Sequence, residues 1–330
     1  MKKNNYLLCL LTILWLTVCT MALQSCRDIR TPDMEDVDPP ASELLPLGLY
    51  SIDSQSPAAT RAASSPLDEG TKIGFYVKTA TTEKGNVEGG YDSSDRWWTT
   101  TGDNKIWISK DNASMTVYAP YDVAHPANRL NLRAAVMATD ASNDLMAGTM
   151  TVNSSNLAAG ISLTLSHLYT CLQFTFVKDA GYTCTVAIDR LELPGADLYS
   201  TADYAPYTKV YIATSIAGEI SLPVSGVLVP TDGEVLTGTT PAVIRTLLIP
   251  LNQAFTADAH LWVTLRTSGV NVQRLGVKIP KETFTPSRPF APGKQYNFRV
   301  RILPTDMKLE GVEVAEWADA FTTDKDMALE

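Results

Sequence analysis

The sequence predicts an all-β fold of two β-sandwich domains behind an N-terminal segment that is not part of the fold. Three observations carry this. Apolar residues alternate with period 2 over most of the chain from residue 71 onward. The alternating runs are short and bounded by turn formers, with 19 Gly and 19 Pro in 330 residues. No amphipathic helical run exceeds twelve residues, the nearest candidate being 128–138. A chain of this length has room for two domains. At 45% apolar and 19% charged it is globular rather than disordered.

The N-terminus comes first. Lys2 and Lys3 precede an apolar stretch over 6–23, the pattern of a secretory signal peptide. Leu23-Gln24-Ser25-Cys26 resembles a bacterial lipobox, which implies cleavage before Cys26 and a lipid on that cysteine. The alternative is a transmembrane anchor, since about 18 apolar residues nearly span a bilayer. Residues 1–25 carry two Lys and no acid, so the mature chain has 25 basic and 36 acidic residues, net −11.

Residues 26–61 read as a propeptide or tether. Asp28, Asp33, Glu35, Asp36 and Asp38 crowd its start. An acidic run behind a lipidated Cys resembles the signal that carries Bacteroidetes lipoproteins to the outside of the outer membrane. Leu44, Leu45, Leu47, Leu49 and Ile52 then form a strand-like patch. Arg61 follows, isolated among Ala, Thr and Ser. One basic residue in a small-residue linker is an accessible site for a trypsin-like, Arg-specific protease. A plain surface arginine is the other reading.

Further strands are expected at 73–77, 105–108, 115–119, 161–177, 182–188, 208–213, 219–223, 243–249, 261–266, 274–280, 295–302 and 311–317. In the long run at 161–177, Ile161, Leu163, Leu165, His167 and Tyr169 share one face, whereas Leu172, Phe174 and Phe176 have the opposite parity. A bulge or bend near 168–171 must separate them. His167 points with the apolar set and is expected to be buried and bonded to backbone. If 172–177 and 182–188 form a hairpin, neither register brings Cys171 and Cys184 within disulfide reach, so two free thiols are expected.

Little chemistry is legible. His125, His167 and His260 have no ligand spacing, and neither a nucleophile elbow nor a Walker or dinucleotide loop occurs. The acids fall mostly in turns. The chain is therefore not read as an enzyme, and neither a metal nor a cofactor is expected. A net charge of −9 argues against nucleic acid as a partner. Trp97 and Trp98 are adjacent, so in a strand they face opposite ways. Either one enters the core while its neighbour caps an edge, or they offer a surface for a sugar.

Several stretches resemble Bacteroidales fimbrillins, the subunits of type V pili. They are Arg96-Trp97-Trp98-Thr99, Lys105-Ile106-Trp107, and Tyr118-Ala119-Pro120-Tyr121 closing an apolar strand. Leu165-Ser166-His167-Leu168-Tyr169, Phe290-Ala291-Pro292-Gly293-Lys294-Gln295-Tyr296-Asn297-Phe298 and Ala315-Glu316-Trp317 complete the series in order. The resemblance implies two transthyretin-like β-sandwich domains, placed here at 62–180 and 181–330. It implies a lipoprotein precursor in the outer membrane, then a cell-surface fimbrium supporting adhesion. An Arg-specific protease would cut after Arg61 and remove the strand carrying Leu45, Leu47 and Leu49. A strand from another fimbrial subunit would fill the vacated groove. A host or glycan receptor would be a further partner. After Trp317 only thirteen residues remain, and Phe321, Met327 and Leu329 are sparse for a donor strand. Shaft and tip roles both stay open. The competing class is a monomeric, surface-exposed glycan-binding lipoprotein.

Overall fold

The computed structural model describes residues 44–54, 65–102, 104–136, 144–194, 198–216, 219–231, 242–250, 254–269, 271–285 and 290–317. The fold is almost all-β. Among the described residues, the one α-helical turn is Ser154–Ala158, opened by a reciprocal capping box between Asn153 and Asn156. A single 3₁₀ turn spans Lys281–Phe284. The nearest helix candidate in the sequence, 128–138, holds two strands among its described residues, Leu130–Arg133 and Ala135–Val136. Leu130 and Leu132 alternate with exposed Asn131 and Arg133, and that period-2 burial outweighs helix propensity.

The largest sheet has nine strands. Its order is Gly48–Leu49, Trp97–Thr100, Glu83–Asp92, Ile73–Lys78, Ala113–Ala119, Met146–Val152, Ser162–His167, Ser51–Ser54 and Ser65–Pro66. Gly48–Leu49 and Ser51–Ser54 are consecutive in sequence yet lie near opposite margins. One stretch of chain thus almost closes the sheet on itself. Inside is a core built from Phe75, Trp98, Met115, Val117, Leu163 and Leu165 among others.

A second core lies between two further sheets. One has the order Ala135–Val136, Ala242–Leu248, Thr170–Lys178, Lys294–Ile302, Met307–Glu316. The other runs Glu219–Leu228, Val186–Pro194, Ala259–Thr267, Asn271–Ile279. Phe174, Phe176, Phe284, Phe290, Tyr296 and Phe298 fill the space between them, with Phe174 and Phe298 stacked at 5.0 Å. A three-stranded sheet, Leu130–Arg133, Tyr199–Ala205 and Val210–Ile216, joins a third cluster containing Tyr76, Tyr118, Tyr204 and Trp317.

The run at 161–177 is two strands in different sheets rather than one bulged strand. Leu168 and Tyr169 make the crossing. Both apolar parities are thereby satisfied, because Leu163 and Leu165 enter the first core and Leu172, Phe174 and Phe176 the second. The strand expected at 182–188 instead spans Val186–Pro194, and it pairs with Glu219–Leu228 and Ala259–Thr267, not with Thr170–Lys178. Cys171 is buried and Cys184 exposed, and both are free.

His167 is buried, but its partner is a carboxylate. Nδ1 lies 2.7 Å from Oδ2 of the equally buried Asp144, and the ring stacks on Trp317 at 4.1 Å. That acid comes from the segment just before Met146–Val152.

His125 is held differently. The Asn131 N–H donates to its Nδ1 (3.2 Å), the Asn86 side chain donates to its carbonyl (2.6 Å), and its ring meets Tyr118 edge-on. Burial lowers its pKa against a smaller opposing pull from Asp122. The unfolded chain therefore takes up this proton first. Its contribution to stability is present above the unfolded pKa, about 6.5, and is lost as pH falls through the lower folded value. Urea melts should show stability falling from pH 7 to pH 5. His125→Asn, which keeps an acceptor near Nδ1, should flatten that slope, and an unchanged slope would exclude His125 as its source.

Candidate functional site

Residues 44–54 make the feature with the clearest chemical logic. Leu45 pairs with Ile108 and Pro46 with Trp107. The Leu47 N–H donates to the Ile106 carbonyl (2.8 Å), and the Thr99 hydroxyl donates to the Leu47 carbonyl (2.7 Å). Gly48 and Leu49 then pair with Thr99 and Trp98. At Tyr50, which is 67% exposed, the chain turns away, and its N–H donates to the Ile161 carbonyl (2.8 Å). Ser51–Ser54 continues parallel to Ser162–Leu165.

The side chains follow from that path. Leu47, Leu49 and Ile52 are 1%, 0% and 1% exposed, all in the first core, with Leu45 packed at its rim. Burying three such side chains is worth about 5–9 kcal/mol relative to leaving them in water. The parity changes between Leu49 and Ile52 because the chain leaves one margin of the sheet for the other. The patch read as one strand is therefore three short pieces, Leu45–Pro46, Gly48–Leu49 and Ser51–Ser54.

Gly48 lets the Trp97 ring lie close over the strand. A Cβ there would lie 3.1 Å from Trp97, whose ring covers this strand. Trp97 is half-buried in that position. Trp98, read as a candidate for the surface, is 3% exposed and meets Tyr91 edge-on inside the core. The exposed tryptophan is Trp107, at 51%. It follows from pairing with Pro46 at a two-residue strand whose other member, Ile108, is buried. The paired tryptophans thus form no joint surface for a sugar.

Cys26 and Arg61 lie outside the described residues, as does the tail beyond Trp317. The strands on either side of Arg61 are described: Asp53 pairs with Pro66 and Ser54 with Ser65. The Leu67 N–H also donates to the Ile52 carbonyl (2.9 Å). Ser54 and Ser65 therefore lie on adjacent strands at the margin of the sheet.

Ile52 belongs to the patch read from the sequence, but the core it enters with Ile106, Ile108, Leu163 and Leu165 was not legible there. Among the described residues no group of three or more His, Cys, Asp or Glu could hold a metal ion. No helix of the described residues is long and apolar enough to cross a membrane.

A family model described as fimbrillin-like matches residues 60–317. No curated protein matches the chain. Among solved structures, a proposed cell adhesion protein from Bacteroides uniformis is similar at 15% identity, covering 83% of this chain and 99% of that one, with a TM-score of 0.55. Another from Bacteroides ovatus gives 13% identity, 83% and 98% coverage, and a TM-score of 0.57. A fimbrial protein from Bacteroides vulgatus gives 14% identity, 82% and 99% coverage, and a TM-score of 0.50. At these identities the likeness is one of fold.

Proposed function

The chain belongs to the fimbrillin-like family, and from that premise we propose that it is a structural or tip subunit of a cell-surface fimbrium that supports adhesion. It reaches the outer membrane as a lipoprotein anchored through Cys26. An Arg-specific protease then cuts after Arg61, releasing residues 26–61. The body left behind consists of two transthyretin-like sandwich halves, which we divide at the change of sheet at Leu168–Tyr169, ahead of the break at 180 read from the sequence.

One observation carries this reading. A single stretch, 44–54, fills both margins of an otherwise open sheet with Leu47, Leu49 and Ile52. Removing it would leave a groove floored by Trp98, Ile106, Ile108, Leu163 and Leu165, with unpaired main-chain groups on both sides. Such a groove is a template for a strand with matching apolar spacing. The strand would come from another subunit of the fimbrium. The family match supports the same division, since it begins at residue 60, beside Arg61.

The test is limited digestion of the purified chain with trypsin. The expected result is clean loss of residues up to 61 followed by a ladder of multimers that survive mild denaturant. Clean loss with no species larger than a dimer, at concentrations where strand donors are in excess, would sink the assembly reading.

A further inference from the structure

We propose that Val210–Ile216 is a self-association edge, and that two copies of this chain pair it antiparallel about a two-fold axis. Among the described residues the strand is outermost in its sheet and has Tyr199–Ala205 as its one ladder partner. Its sequence, Val-Tyr-Ile-Ala-Thr-Ser-Ile, has no charge and no proline. Val210 and Ile212 are 49% and 54% exposed. Ala213, Thr214 and Ser215 are exposed beside them. Tyr211 turns the other way: its hydroxyl donates to the Leu168 carbonyl (2.9 Å), and its ring meets Tyr204 edge-on. The strand is thus pinned on one face and bare on the other.

Soluble proteins blunt exposed edges with charges, prolines or short length, because an unprotected edge recruits another strand. The other described sheet margins here are blunted. Met307–Glu316 carries Lys308, Glu310, Glu313 and Glu316. Asn271–Ile279 carries Arg274 and Lys278, and Glu219–Leu228 carries Glu219 and Pro223. Leu130–Arg133 ends in Arg133, and the remaining margins are two residues long. Among the described margins longer than two residues, Val210–Ile216 alone lacks such protection.

Self-complementarity selects a second copy as the occupant. Antiparallel pairing centred on Ile212 sets Ile212 against its own counterpart and Val210 against Thr214. These are β-branched pairs, each worth about 0.2–1 kcal/mol over alanine pairs, and no like charges meet. The nearest acid on the adjoining strand, Asp203, is paired with Arg129 at 3.3 Å. A two-fold contact of this kind closes as a dimer. It uses no residue of 44–54, so it does not depend on the fimbrial reading.

The test is sedimentation of the full chain and of two variants. The wild type should show a monomer–dimer equilibrium. Ile212→Lys should raise the dissociation constant at least tenfold without shifting thermal unfolding, since the side chain is outside the core. Val272→Lys, 70% exposed on another margin, should leave the equilibrium unchanged. In a Cys184→Ser background, Ile212→Cys should crosslink to itself, because opposed residues on paired strands lie about 4.5–5.5 Å apart at Cα, within disulfide reach. A wild type that stays monomeric at every concentration, a dimer unaffected by Ile212→Lys, or an Ile212→Cys chain that does not crosslink would each overturn the proposal.

Discussion

Arg61→Ala should block the multimer ladder at trypsin doses that convert the wild type to it. The sequence makes this test unusually clean, because Arg61 is the only basic residue between 31 and 71. Cutting at Arg27 or Arg30 leaves 44–54 in place, still joined to the body. Cutting on the far side must wait for Lys72. That residue pairs with Glu88 at 2.7 Å and adjoins Ile73, which is wholly buried in the first sheet. Proteolysis needs an extended, unpaired segment, and a residue next to a central strand does not offer one without unfolding. One substitution should therefore abolish the ladder while leaving cleavage at Arg27 and Arg30 intact, as read by mass spectrometry of the products. Multimers that form from Arg61→Ala as readily as from the wild type would separate assembly from this cut.

The strands legible in the sequence are those with one face in a core. Ile73–Lys78, Ala113–Ala119, Ala259–Thr267 and Lys294–Ile302 each lie within about two residues of the expected spans. Glu83–Asp92 was missed because only Gly89 among its ten residues is buried, so no apolar alternation marks the strand. Met146–Val152 was missed for another reason. Its Gly148 approaches Thr164 so closely that a Cβ would sit 2.4 Å from that carbonyl, and small residues there erase the alternation. Which strands share a sheet was not legible at all. The crossing at Leu168–Tyr169 sends two halves of one apolar run into different cores, and local periodicity carries no information about that choice.

The same distinction applies to the site. Leu45, Leu47 and Leu49 stand out by alternation; the structure puts Leu49 at one margin of the first sheet and Leu45 in a separate two-stranded sheet with Trp107–Ile108, both against the same core. That Ile52 seats against the opposite margin could be known only once the sheet order was known. The aromatic pair left two readings open for a related reason. Adjacent residues of a strand face opposite ways: Trp98 enters the core, and Trp97 lies half-buried over Gly48.

Leu49→Ala should loosen that segment enough to change what cleavage releases. Deleting most of a fully buried leucine costs about 2–5 kcal/mol, from lost transfer energy and the cavity left behind. Before cleavage this appears as reduced stability of the whole chain. After cleavage at Arg61 the segment is held only by its side chains and by main-chain bonds such as Leu47 to Ile106 and Tyr50 to Ile161. The same energy then becomes affinity, and 2 kcal/mol corresponds to roughly a 30-fold weaker hold. In the wild type the cut peptide should remain with the body through gel filtration until a competing strand displaces it. In Leu49→Ala it should separate on its own, and multimers should form sooner at equal cleavage. Trp107→Ala provides the contrast, because its exposed ring contributes little burial while its main chain pairs as before. A peptide held equally well by wild type and Leu49→Ala would show that burial at this margin does not control exchange. The precursor's stability and its delay in assembling would then have separate origins.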